Sequence, residues 1–185
     1  MKSNKFVIYG AGGHARVLLE GLERYLGSGA VIGFFNDGDG PSTLAGIPVG
    51  PYQTELHPYA RVLLGIGLPH LRKQVAAKVS HSFGTFIHPT ATVAADVTIG
   101  EGTVVLAGAV IQTGAKIGNH VIINANVTID HDAMLEDYVT TYPGVYVGAH
   151  AVIGEGCLLN PNVVMMRNIR TDEFVEIPAQ GILWK

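Results

Sequence analysis

The sequence predicts a chain of mixed architecture, a small parallel α/β sheet followed by a triangular parallel β-helix. Three observations carry this. Apolar residues recur at every sixth position through the second half. A glycine-rich turn joins a short apolar strand to a helical pattern near the N-terminus. The 185 residues also leave room for two small domains, each with its own core.

The six-residue period is the stronger signal. Stepping from Ile87 gives Val93, Ile99, Val105, Ile111, Ile117, Ile123, Ile129, Leu135, Thr141, Val147, Ile153, Leu159 and Met165, with one polar member and no insertion. Four residues after each anchor stands a small or aliphatic partner, from Ala91 and Val97 through Cys157 and Val163 to Ile169. Glycines gather directly behind anchors, at Gly100, Gly118, Gly148 and Gly154. One hexad supplies a short strand and a tight corner, and three hexads close a coil. Glycine or asparagine is expected at a φ > 0 corner. Stacked coils pair their strands in parallel, and this series predicts between four and five of them. Thr141, in Val139-Thr140-Thr141-Tyr142-Pro143-Gly144, predicts an irregular coil: a roomy core, or a rule broken beside a functional surface.

The first half has other periods. A strand is predicted over 5–9, followed by Gly10-Ala11-Gly12-Gly13-His14-Ala15. A helix over 16–26 follows from Val17, Leu18, Leu22, Tyr25 and Leu26. A second strand over 31–35 ends in the turn cluster Asn36-Asp37-Gly38-Asp39-Gly40-Pro41. Another strand covers 61–66, and Gly65-Ile66-Gly67 opens a helix over 69–79. These elements make a Rossmann-like domain over 1–85, ahead of the β-helix over 86–185.

Composition narrows the function. A net charge of −3 and low charge density give no basic footprint for nucleic acid or anionic membrane. No apolar run reaches the ~20 residues of a membrane span, and the start has no signal-peptide pattern. Cys157 is the single cysteine, so no internal disulfide forms. A cytoplasmic protein is expected.

Gly10-x-Gly12-x-x-Ala15 between strand and helix fits the phosphate-binding fingerprint, in which backbone N–H groups and a helix end face an anion. Asp37 closes the second strand, where an acidic residue meets a ribose or base. Too few residues precede the β-helix for a full dinucleotide fold, which favours a nucleotide-sugar phosphate over a redox cofactor; a plain strand-to-helix turn is the alternative. His131, in Asp130-His131-Asp132, occupies a corner of the prism. Flanking carboxylates can fix its tautomer and raise its basicity, as a general base requires, or it is a solvated surface histidine. His120, His131 and His150 fall at hexad positions four, three and four of different coils, so no convergence on a metal is expected.

Together the motifs resemble the NeuD/PglD-like sugar O-/N-acetyltransferases. The likeness rests on Ile8-Tyr9-Gly10-Ala11-Gly12-Gly13-His14, Asn36-Asp37, Gly65-Ile66-Gly67 with Arg72, and Phe86-Ile87-His88-Pro89-Thr90-Ala91. It continues through Ile123-Asn124, Ile129-Asp130-His131-Asp132 and Ile177-Pro178-Ala179. The resemblance implies a left-handed β-helix, homotrimers with active sites between subunits, and acetyl-CoA as co-substrate; on the histidine spacing above, no metal is expected. It implies His131 as general base, oriented by Asp132, with a backbone N–H at Gly148 or Ala149 steadying the oxyanion. Gly10, Gly12, Gly13, His14, Asp37 and Gly67 would hold a nucleotide sugar or sugar acid. Gly148, Ala149, Ile177, Pro178 and Ala179 would line the acetyl-CoA groove. Thr140 stands where some relatives have a second histidine, and Tyr142-Pro143 is expected to alter its coil.

The expected reaction is acetylation of the amino group of a nucleotide-linked sugar. O-acetylation of sialic acid or a related sugar is the alternative. A non-catalytic scaffold or ice-binding face would need a Thr-x-Thr ladder, and a γ-carbonic-anhydrase-like enzyme a His-x4-His pair; neither is present.

Overall fold

The computed structural model describes residues 5–184. Its contacts divide the chain into two units. One runs up to Gly67 and includes Gln74–Gly84; the other comprises Leu68–Lys73 and the chain from Thr85 onward.

The first unit is a five-stranded sheet of order β3-β4-β2-β1-β5. Strands β1 (Phe6–Tyr9), β2 (Val31–Phe35), β4 (Ile47–Gly50) and β5 (Arg61–Leu64) are parallel. The apolar runs of β1, β2 and β5 are buried on both faces, as a covered parallel sheet requires, whereas β4 is half-buried. Helix α1 (Gly13–Leu26) begins three residues before the expected start, because the last residues of the glycine loop form its first turn. It buries Ala15, Leu18 and Leu22, whereas Val17, Tyr25 and Leu26 face outward. Strand β3 (Thr43–Leu44) pairs antiparallel with β4, and sequence reasoning missed both. Ala45 and Gly46 take consecutive positive φ of 50° and 79°, a two-residue hairpin turn without the usual Asn-Gly signal. Helix α2 (Pro69–Ala76) stops short of the expected residue 79.

The second unit is the left-handed parallel β-helix. Two-residue strands from β6 (Phe86–Ile87) to β21 (Ile182–Leu183) stack into three sheets of six, six and four strands, each step in register. A bridge from Val152 to Arg170 extends the four-stranded face. With six strands on two faces the prism has nearly six coils, not four to five. The apolar series breaks at Thr171, which hides its resumption at Ile177 and Leu183. Anchors and their small partners fill one continuous core, Val105 to Met165 being essentially inaccessible.

The corners correct one expectation. Positive φ recurs at every sixth residue from Gly102 to Gln180, three places after each anchor. The glycines directly behind the anchors have ordinary φ and serve close approach instead. A Cβ on Gly118 would lie 2.7 Å from the Asp137 amide nitrogen and 2.8 Å from the Glu136 carbonyl carbon. The Thr141 coil is also regular. Strand β15 (Thr140–Thr141) pairs in register with both neighbours, and Thr141 Oγ1 donates to Ile122 O at 3.2 Å. Tyr142-Pro143 therefore leaves the coil unaltered.

Arg72, 1% exposed, lies against one edge of the prism. Its Nε donates to His120 O at 2.8 Å, and one Nη to Tyr138 O at 2.6 Å and Thr140 Oγ1 at 2.8 Å. Burial pulls its pKa down to about 9, so it stays charged at neutral pH. His120 stacks on Tyr138 with ring centroids 5.1 Å apart. Burial, then the charge of Arg72, pushes the His120 pKa down to about 4.

Two stability measurements follow from these contacts. Gly118→Ala is expected to cost about 1–3 kcal/mol in denaturant unfolding, since backbone atoms of Glu136 and Asp137, besides the Asp137 side chain, block the new methyl. Gly144→Asn, in a corner column between Asn126 and Asn162, is expected to change stability by less than about 1 kcal/mol. His120 adds a pH dependence. The unfolded imidazole binds a proton near 6.5, whereas folded His120 resists until about 4. Its stabilising contribution is complete above 6.5 and is lost as pH falls toward 4, about 3 kcal/mol in all. His120→Asn is expected to flatten that part of the stability–pH curve.

Candidate active site

Two places in the fold carry chemistry. The first is the carboxyl edge of the α/β sheet, where the loops after β1, β2 and β5 emerge. Open parallel sheets bind ligands at this edge, at the point where the crossovers diverge. Gly10 takes φ of +112°, and a Cβ there would meet Gly65 O at 2.9 Å. Gly65 in turn lies against Ala15 of α1, and a Cβ on it would stand 2.8 Å from the Ala15 methyl. Gly12, Gly13 and Gly67 have open space where a Cβ would project. Gly12 caps α1 without a side-chain hydrogen bond, and His14 is half-buried in the first turn.

Asp37 lies at this edge inside a polar network. Tyr9 Oη donates to its Oδ2 at 2.5 Å, Lys78 Nζ to the same oxygen at 2.6 Å, and the Tyr52 amide to Oδ1 at 2.9 Å. These bonds, that of Lys78 foremost, hold the carboxyl at about 2. Burial, with the hydrogen bond to Asp37 behind it, pushes the Tyr9 phenol up to about 12. The Tyr52 and His81 rings stack edge-on beside them, joined by a hydrogen bond of 3.0 Å. Tyr52, Lys78 and His81 had no motif to mark them.

The second place is the prism edge between strands β13 (Thr128–Ile129) and β14 (Met134–Leu135), continued in the next coil between β16 (Tyr146–Val147) and β17 (Val152–Ile153). His131 Nδ1 lies 2.8 Å from Asp132 Oδ2. A carboxylate only accepts, so Nδ1 carries the hydrogen and the lone pair resides on Nε2. The bond to Asp132 raises the His131 pKa. Asp130 accepts from the His131 amide at 2.8 Å and from Tyr146 Oη at 2.9 Å. The His131 amide chiefly, with Tyr146 and Ala149 behind it, holds Asp130 below the usual carboxylate range.

The next coil corrects the expectation that the histidines stay apart. His150 meets His131 edge-to-face, with ring centroids 5.4 Å apart, and its Nδ1 is 4.0 Å from Asp132 Oδ2. His120 belongs to another edge, beside Arg72.

Gly148 and Ala149 share the His131 edge, but their amides differ. Gly148 N–H is spent on Met165 O at 2.8 Å, whereas that of Ala149 turns toward Asp130. The Ile177 side chain is buried as a core anchor, so it cannot line a groove as expected. Pro178 and Ala179 are exposed on a different edge from His131, between the faces of β20 (Glu176–Ile177) and β21. Arg167, exposed on the His131 edge two coils on, escaped notice because it lies past the last anchor read.

The PglD N-terminal domain family matches residues 5–79, and the bacterial transferase hexapeptide family (six repeats) matches 96–131. The acetyltransferase domain of PglB from Neisseria gonorrhoeae FA1090 is similar to the chain at 28% identity, with a TM-score of 0.71 over 98% of this chain and 94% of that one. That domain is also known in complex with acetyl coenzyme A. A histidine-to-asparagine mutant of perosamine N-acetyltransferase from Caulobacter crescentus, in complex with CoA and GDP-perosamine, is similar at 28% identity. Its TM-score is 0.70 over 96% of this chain and 90% of that one. The chain thus carries both modules that mark the NeuD/PglD-like sugar acetyltransferases, a PglD N-terminal domain and hexapeptide transferase repeats. WeeI from Acinetobacter baumannii AYE shares the fold at 22% identity and a TM-score of 0.60, each chain being covered over 93% of its length. No curated protein sequence matches significantly. Among the described residues no helix is long and apolar enough to cross a membrane.

The Asp132–His131 pair gives a direct spectroscopic check on this acetyltransferase. His131 is expected to titrate above 6.5 by NMR and to move down in Asp132→Asn, whose amide cannot support the imidazolium. An unmoved titration would detach Asp132 from the basicity of His131.

Proposed function

We propose that the protein transfers the acetyl group of acetyl-CoA to the amino group of a nucleotide-linked amino sugar, with His131 as general base. The observation that carries this is the 2.8 Å pairing of His131 Nδ1 with Asp132 on an exposed prism edge, which leaves Nε2 as the proton acceptor. The free amine attacks the thioester carbonyl carbon while His131 Nε2 takes its proton, and Asp132 stabilises the imidazolium. Collapse of the tetrahedral intermediate breaks the C–S bond. The departing thiolate receives the proton from His131, so the base is regenerated within the cycle.

The oxyanion donor is assigned to Ala149, one coil beyond His131: the Gly148 amide is committed to the ladder, whereas that of Ala149 faces the Asp130 carboxylate and would exchange it for the oxyanion. Arg167, further along the same edge, supplies a cation for the phosphates of CoA. The nucleotide belongs to the α/β unit. Gly12, Gly13 and His14 open α1 for phosphate, Gly10 and Gly67 leave room beside it, and Asp37 accepts from ribose or base. GDP-perosamine, the ligand named for the Caulobacter relative, exemplifies the acceptor class.

The active form is proposed to be a homotrimer with acetyl-CoA between subunits. Pro178 and Ala179 lie on a different prism edge from His131, so all of them can line one groove only if a second copy supplies one of the edges. Sedimentation equilibrium is expected to give three times the 19.6 kDa chain mass.

The decisive assay follows CoA thiol release from acetyl-CoA across nucleotide-linked amino sugars and free sialic acid. Turnover with a nucleotide amino sugar is expected, falling about 10²–10⁴-fold in His131→Ala with CoA binding kept. Activity within about threefold of wild type would remove His131 from the base role. Turnover on sialic acid alone would move the acceptor from amine to hydroxyl. Asp37→Ala is expected to raise the acceptor KM; an effect confined to the acetyl-CoA KM would misplace the nucleotide.

A further inference from the structure

We propose that His131, Asp132 and His150 form a site for one zinc-class divalent cation, and that filling it withdraws the His131 lone pair. The site itself is independent of the function proposed above; the inhibition that follows from it rests on the base role of His131.

One ligand atom from each of the three residues lies within 4.8 Å of the others. Asp132 Oδ2 is the shared point, 2.8 Å from His131 Nδ1 and 4.0 Å from His150 Nδ1. Zinc bonds of roughly 2.0–2.2 Å put two ligands of a tetrahedral shell about 3.3 Å apart. The spread is therefore closed by small side-chain rotations. Those rotations are open, since the three side chains are 45%, 50% and 56% exposed. The backbone beneath them is tied, because the His150 amide donates to His131 O at 3.3 Å.

The fold does not ask for histidine at position 150. The corner column that holds Asp132 and His150 also holds Gly114 and Asn168, and each takes positive φ. Glycine and asparagine accept that conformation at least as readily as histidine does, so the turn alone does not call for an imidazole. What His150 adds is a second nitrogen donor one coil from the first. Two imidazoles and a carboxylate suit zinc and its borderline neighbours, while magnesium and calcium seek oxygen shells. A fourth position stays open to water.

The chemical consequence does not depend on which ring nitrogen binds. A neutral imidazole offers a single lone pair, and a bound cation occupies it. His131 then cannot accept a proton from an amine. The cation is thus an off-switch for the acetyl transfer and takes no part in it.

The test titrates zinc chloride into the EDTA-treated, full-length protein by calorimetry, for wild type and His150→Asn. Asparagine keeps the corner conformation and removes the imidazole. One zinc per chain is expected, with affinity at least about tenfold weaker in the variant. No binding up to millimolar zinc, or equal affinity in both proteins, would overturn the site. In parallel, zinc is expected to stop turnover of the wild type reversibly with EDTA, and the half-inhibitory concentration to rise at least about tenfold in His150→Asn. Binding that weakens in the variant yet leaves wild-type turnover intact would uphold the site and count against His131 as base.

Discussion

The β-helix depends on one repeated bond, the corner amide that donates to a carbonyl one coil back. His120 bonds Glu101 O, Asn126 bonds Ala107 O, Asp132 bonds Thr113 O, and the pattern runs on to Gln180 and Pro161 O. Only a left-handed residue conformation aims the amide that way, which is why φ turns positive at every sixth residue. An L-residue with a Cβ pays roughly 1–2 kcal/mol for that conformation. The hydrogen bond returns about 0.5–1.5 kcal/mol, and the anchor buried beside it adds more. Glycine and asparagine lower the cost. Where a larger residue stands instead, its neighbour in the column accommodates it, as Gly156 does for Phe174 and Tyr138 for His120.

The same bond fixes where function can sit. Because each corner amide is registered on the coil before it, side chains on one edge form columns with no slippage. Asp130, His131 and Asp132 stand beside Gly148, Ala149 and His150, and these beside Met166, Arg167 and Asn168. The proposed base, the carboxylate paired with it, a candidate oxyanion donor and a cation thus share an edge without any loop to position them. Rigid repeats place such groups more accurately than loops do. The α/β unit reaches the same end by other means. Its glycines act through the side chains they lack, and the Asp37 network fixes a carboxylate at the edge where parallel sheets receive ligands.

What the sequence discloses follows from this division. Core anchors are legible because burial selects apolar residues at a strict period, and that pattern identified the β-helix and His131 on its edge. The end of the prism was illegible because Thr171 breaks the pattern while keeping the geometry, its hydroxyl donating no signal to a hydropathy reading. Two glycine roles were merged, since a residue without a Cβ looks the same whether φ or space demands it. The meeting of His131 with His150 was hidden by their different hexad positions, three and four. The step between those positions is the step of the corner bond itself, which joins the His150 amide to His131 O. The hairpin at Ala45-Gly46 was missed for a plainer reason, that two short strands without alternation carry too little pattern.

The three prism edges are consequently not equivalent, although the repeat that builds them is. The edge through His120, Tyr138 and Gly156 receives Arg72, whose donors end on corner carbonyls and on Thr140. A buried guanidinium satisfied in this way is costly to lose, because its removal strands several acceptors at once. Its charge also keeps His120 neutral, so that this histidine is a packing element and the one on the next edge can be a reactive one. The edge through Asn126, Gly144, Asn162 and Gln180 carries the least demanding corners and ends in exposed Pro178 and Ala179. Among the described residues, the edge through Asp132 and His150 is the one that brings two exposed imidazoles and a carboxylate together. Identical backbone geometry has therefore been given three chemistries by the side chains at a single hexad position and its neighbours. A histidine's burial, more than its place in the repeat, decides whether it packs or reacts.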